Sequence, residues 1–264
     1  MGNIKWLFKQ LIFEDLTNHP KKENMSRILY IFPHPDDESF GPAPGIAQQL
    51  KQGHEVFLLT LTKGGATRVR HDLGLSVEEM GEVRLKEMIA VEQTLGLTGM
   101  TVLDLPDSGL KDMCPMDIEQ VLRAHIEELK PDVIITYAVH GISGFFDHLV
   151  SHACVKRVFC EMKREGSPYP KRLAFFTMGP DSITEGHFTL KASPAEDIDC
   201  VIEVTDDEAK IGYDALMCYQ TYLDTIAKTG VDKRVHDNIH FEFFGESFDP
   251  PLRDLTAQLP ELVK

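Results

Sequence analysis

Cysteine is scarce and unpatterned in this chain. Five residues, Cys114, Cys154, Cys160, Cys200 and Cys218, are scattered over 264 positions without a Cys-x-x-Cys pair. The odd count and loose spacing argue against a disulfide framework and against a cysteine zinc site. Cys154 and Cys160 fall in a predicted helix and are expected to be reduced residues of the core or its boundary. Basic residues are in deficit: 27 Lys and Arg stand against 42 Asp and Glu, a formal net charge of −15. Such a field repels phosphate backbones and anionic lipid, so nucleic acid is not an expected partner. Long apolar runs are missing too. Near the start, Trp6-Leu7-Phe8 and Leu11-Ile12-Phe13 are interrupted by Lys5, Lys9, Glu14 and Asp15. That segment is too polar and too short for a membrane span or a signal core. Residues 1–24 are therefore expected to form an N-terminal helical extension, amphipathic and about three turns long. It would pack on the domain surface or on a sister subunit of a homo-oligomer. A cytoplasmic protein is the expectation.

What is present is an alternation of strand and helix signals without repeats or low-complexity tracts. Hydrophobic residues make up 42% of the chain, enough for a sizeable core. Apolar runs at Ile28–Phe32, Glu55–Thr62, Thr101–Leu105 and Val133–Tyr137 read as buried strands. Between them, Ser76-Val77-Glu78-Glu79 is a capping box opening a helix that ends near Gly96, and 117–129 reads as another helix. This order predicts right-handed βαβ units, hence a single α/β, Rossmann-like domain with a mostly parallel sheet flanked by helices. A helix is expected to begin at about His148. After Gly166-Ser167-Pro168-Tyr169-Pro170 a less regular region is expected. A long helix should then start at the capping box Thr205-Asp206-Asp207-Glu208, with a late strand at 241–244.

Two short segments carry chemistry. Pro33-His34-Pro35-Asp36-Asp37-Glu38 directly follows the first strand, at the sheet edge where ligands bind in α/β folds. Alternation sends the two carboxylates in different directions, so one can ligate a metal while the other handles protons. Catalytic zinc sites need that division, with an open position for water. An acidic turn after a strand also suits a helix N-terminus, with Asp36 or Asp37 as its cap. The second segment, His140-Gly141-Ile142-Ser143-Gly144-Phe145-Phe146-Asp147-His148, follows the Val133–Tyr137 strand. Parallel topology can bring the two strand ends together, and His148 would complete a His/Asp/His group.

These motifs resemble the PIG-L/LmbE-like family of zinc-dependent de-N-acetylases, over most of the chain from about Met25 to about Asp224. The family's opening Ala/Pro-His-Pro-Asp-Asp-Glu stands intact at 33–38. Its later Gly-His-Pro-Asp-His reads Gly144-Phe145-Phe146-Asp147-His148. The resemblance implies an LmbE-like deacetylase domain over residues 25–264. It also implies Zn2+ or another divalent metal held by His34, Asp37 and His148, with Asp36 as general base. The substrate would be a small N-acetylglucosamine conjugate. Arg84, on the family's arginine-bearing helix, and Asp107, just past the third strand, are expected to bind substrate. A buried pair bracing the loops is the competing expectation for them. Two departures stand out. Phe145 replaces an imidazole that could protonate the leaving amine, for which His140 is a candidate substitute. Gly64-Gly65 replaces a Gly-Glu pair after the second strand. An amidase of another small amide or thiol conjugate, or a metal-binding protein that has lost catalysis, are the alternatives.

Overall fold

The computed structural model describes residues 25–182 and 190–261; the extension expected over 1–24 lies outside the described residues. In chain order the elements are β1 (Arg27–Phe32), α1 (Ala43–Lys51), β2 (Glu55–Thr62), α2 (Val69–Asp72), α3 (Val77–Leu95), β3 (Gly99–Leu105) and α4 (Pro115–Leu129). They continue as β4 (Val133–Tyr137), α5 (Phe146–Arg164), β5 (Arg172–Thr177), β6 (Cys200–Ile202), α6 (Asp206–Leu216), α7 (Leu223–Thr229) and β7 (Ile239–Phe243). The sheet order is β3-β2-β1-β4-β5-β7-β6. Strands β1 to β5 pair in parallel, whereas β7 runs antiparallel to both β5 and β6.

β1 is apolar on both faces because helices cover both. Ile28, Tyr30 and Phe32 pack with Ile46 of α1, Met88 and Val91 of α3, and Ala209 of α6. Leu29 and Ile31 face the other layer, with Ile118 and Leu122 of α4 and Val155 of α5. All five β1 residues from Ile28 to Phe32 are fully buried. Each such aliphatic side chain contributes roughly 1.5–3 kcal/mol, which fixes the strand at the centre of the sheet. The Ser76 capping box forms: Ser76 Oγ accepts the Glu79 N–H at 3.1 Å, and Glu79 accepts the Ser76 N–H at 2.8 Å. Gly96, at φ 71°, ends α3 in a left-handed cap.

Two expectations fail beyond Pro170. The region foreseen as less regular contains β5, a fully buried sheet strand starting at Arg172. The helix from Thr205 is not long: α6 stops at Leu216, the chain turns, and α7 restarts at Leu223. The interruption buries Tyr219, whose hydroxyl reaches the first motif. Packing there outweighs continuation of the helix.

The topology makes a switch point. From β1 the chain winds outward through β2 and β3, then returns to add β4 on the other side of β1. The loops leaving β1 and β4 therefore open side by side, and these are the two loops that carry the motifs.

Candidate active site

His34, Asp37 and His148 converge at this crevice, with one ligand atom of each within 4.8 Å of the others. His148 Nε2 lies 3.5 Å from Asp37 Oδ1, and His34 Nδ1 lies 3.6 Å from Asp37 Oδ2. α5 begins at Phe146, so His148 sits in its first turn. His148 Nδ1 is 2.9 Å from the Gly141 carbonyl. A carbonyl only accepts, so Nδ1 carries the proton and Nε2 keeps a free lone pair facing Asp37. Tyr137, the last residue of β4, stacks on the His148 ring at 4.1 Å and donates its hydroxyl to Asp37 Oδ1 at 2.6 Å. His34 Nε2 faces Asp147 Oδ2 at 3.3 Å and Asp107 Oδ1 at 3.4 Å, leaving Nδ1 toward Asp37.

The electrostatics follow from this crowding. Burial works against the Asp37 charge, but His148, His34 and Tyr137 outweigh it and hold its carboxyl below the usual range. Burial also disfavours a charged His34, yet Asp147, Asp37 and Asp107 push its pKa up to about 10. A proton on His34 and a cation held by the group answer the same negative field. His148 is lowered by burial, against the pull of Asp37. The neutral imidazole is the form that ligates metal.

Asp36 turns the other way. Its backbone takes φ 89°, a left-handed value that L-residues avoid. The strained turn is pinned by Tyr219, whose hydroxyl accepts the Asp36 N–H at 2.8 Å and donates to buried Glu38 at 2.7 Å. Burial raises the Asp36 carboxyl, Arg84 pulls it down and Asp37 adds to the rise; the balance lies at about 6.

Arg84 is 2% exposed and donates to Asp36 Oδ2 and the Pro35 carbonyl, both at 2.7 Å. Its guanidinium lies 3.9 Å from the Tyr222 ring centre. Asp107 accepts the Ala66 N–H at 2.7 Å and so ties down the loop after β2. Both residues line the cavity; Arg84 is anchored through one terminal nitrogen while its buried Nε has no hydrogen-bond partner, and Asp107 is tied to Ala66 and faces His34.

The cavity holds about 670 Å³, and His34, Asp36, Asp37, Tyr137, Phe145 and His148 are among the residues that line it. His140, the candidate substitute for the imidazole, does not line the cavity. Its Nδ1 accepts the Ile142 N–H at 3.0 Å, and its Nε2 lies 3.2 Å from Ser193 Oγ and 3.3 Å from Thr177 Oγ1. That buried polar network anchors the β4 loop instead. Phe145 meets the His148 ring edge-on at 5.6 Å, so this side of the cavity is apolar. His152, one turn along α5, faces the Tyr137 carbonyl at 2.9 Å. Gly64 and Gly65 are required by space. A Cβ on Gly65 would sit 2.1 Å from the Val77 carbonyl oxygen, and Gly64 has φ 64°.

Sequence reasoning missed Tyr137, Tyr219 and Tyr222. Tyr137 was findable, since it ends a strand beside the second motif. The other two act across more than a hundred residues and leave no local signal.

Fold and site together define a Rossmann-like α/β protein with a His/Asp/His group at its switch point. Residues 29–159, which span both motifs, match the PIG-L family, GlcNAc-PI de-N-acetylase. The chain belongs to this family of de-N-acetylases. Bovine (Bos taurus) N-acetylglucosaminyl-phosphatidylinositol de-N-acetylase is 26% identical over 206 residues, covering 75% of each chain. The 1D-myo-inositol 2-acetamido-2-deoxy-alpha-D-glucopyranoside deacetylase of Mycolicibacterium smegmatis is 27% identical over 258 residues, covering 83% of this chain and 88% of that one. Among solved structures, a deacetylase of teicoplanin biosynthesis superposes with TM-score 0.63 at 16% identity, covering 84% of this chain and 100% of that one. The 4-carboxy-2-hydroxymuconate hydratase of Pseudomonas putida also reaches 0.63, at 14% identity, covering 85% of this chain and 98% of that one. One fold thus hosts two reactions, and the site must decide between them.

Proposed function

We propose that the protein is a zinc-dependent N-deacetylase that removes the acetyl group of a small N-acetylglucosamine-type conjugate. The observation that carries this reading is the convergence of His34, Asp37 and His148 beside Asp36 in one cavity. The donor set fits zinc or a similar divalent ion: two imidazoles and one carboxylate, the number catalytic zinc takes while keeping a position open. Each imidazole has its outer nitrogen turned to an acceptor, Gly141 for His148 and Asp147 for His34, as metal-binding histidines do. When bound, such an ion supplies Lewis acidity toward water and the acetamide carbonyl.

The chain's own residues do the rest. Asp36, at about 6, is matched to accept a proton from the attacking water near neutral pH. Arg84 holds the carboxylate in place through Oδ2. As the C–N bond breaks, acetate leaves and the amine takes a proton. With Phe145 at the cavity wall and His140 engaged elsewhere, Asp36 returns the proton it took. Arg84 and Asp107 line the sugar's side of the cavity, whose volume suits a sugar with a small substituent. The cysteines, all unpaired, suit a reducing cytoplasmic compartment. Replacing Asp36 by Asn should lower kcat by ~10²–10⁴ while metal content stays unchanged. Near-normal turnover in that variant would remove Asp36 from the mechanism.

A further inference from the structure

We infer that the cavity carries an anion subsite formed by Arg68 and Arg234, so that the substrate is an N-acetylated sugar bearing a phosphate or carboxylate substituent. This rests on the deacetylase reading and adds a substrate class to it. Seven of the ten arginines sit in ion pairs with Asp or Glu. In a chain with 42 acidic residues that outcome is easily reached. Among the described residues, Arg68, Arg70 and Arg234 have no such partner, and two of these three line the one cavity that holds the His/Asp/His group.

Both belong to segments that adjoin α7. Arg68 stands at the N-terminal boundary of α2, in the loop after β2. The neighbouring Thr67 accepts a hydrogen bond from the Tyr222 hydroxyl, which closes that loop against the start of α7. Arg234 ends the turn that follows α7 and is half-buried. Thr225 of α7 lines the same cavity and offers a hydroxyl. Asp237 lines it too but does not pair with Arg234. Arg84, deeper in the cavity, is committed to Asp36. A guanidinium without a carboxylate partner is a ready fork for a phosphate or carboxylate. The overall charge of −15 would otherwise repel such a ligand, so local arginines are where its capture must be arranged.

The test compares three substrates with the zinc-loaded enzyme: methyl N-acetylglucosaminide, N-acetylglucosamine 1-phosphate and a carboxymethyl glycoside of N-acetylglucosamine. At least one anionic compound should exceed the neutral one by about tenfold or more in kcat/KM, and the favoured one identifies phosphate or carboxylate. In the Arg68→Gln/Arg234→Gln double variant that ratio should fall to near one. Calorimetric binding of the same compounds to Asp36→Asn protein, with and without the two arginine changes, reads the subsite without turnover. Arginine-dependent binding of the anionic compound with no acetate released from any of them would overturn the deacetylase reading and keep the subsite. Acetate released equally from all three, with a ratio indifferent to the arginines, would overturn the subsite and keep the deacetylase.

Discussion

Asp36 holds a backbone conformation, φ 89°, that persists only when its surroundings impose it. The imposing group is Tyr219, which accepts the Asp36 N–H and donates to Glu38 from 183 and 181 residues away in sequence. Tyr219 is fully buried and acts as a positioning residue. Tyr219→Phe leaves a buried N–H and the Glu38 carboxyl each short of a partner, a cost of about 1–3 kcal/mol per group. The expected result is a lower melting temperature and a kcat reduced by about tenfold or more, with KM and metal content little changed. A variant that melts lower but turns over at the wild-type rate would make Tyr219 purely structural. The convergence of His34, Asp37 and His148 was legible because the first two directly follow a strand whose end the apolar pattern marks, and the third ends the segment that resembles the family's later motif. The Tyr219 contact was not, because only the tertiary fold creates it.

The loop between β2 and α3 carries one of the chain's two departures from the family motifs, and this departure is enforced by packing. A Cβ at Gly65 would collide with the Val77 carbonyl at the start of α3, and backbone there cannot yield cheaply. Gly65→Ala should therefore destabilise the protein by about 1–3 kcal/mol, read as a lowered thermal midpoint. An unchanged midpoint would mean that the α3 start shifts freely. α3 itself was legible at both ends because its cap residues act locally: Ser76 with Glu79, and Gly96 at positive φ. β6 has only three residues and no pattern to read. The break between α6 and α7 escaped notice for the reason Tyr219 did: it serves a distant site.

At the scale of the whole molecule, function depends on strand order. Alternating strands and helices were enough to foresee a parallel sheet, and the return of β4 to β1 brings the two motif loops together. The antiparallel β5-β7-β6 end was not foreseen beyond a late strand near 241, since pairing direction there is set by contacts remote in sequence. The central claim is that these two loops form a metal-dependent amide-hydrolysing centre. It is tested most directly by stripping metal with a chelator, verifying the loss by mass spectrometry, and following acetate release from N-acetylglucosamine conjugates before and after adding zinc. The expected result is about one ion per chain, no turnover in the stripped protein, recovery on reloading, and neither binding nor recovery in His148→Ala. Acetate release at an undiminished rate from verified metal-free protein would contradict it.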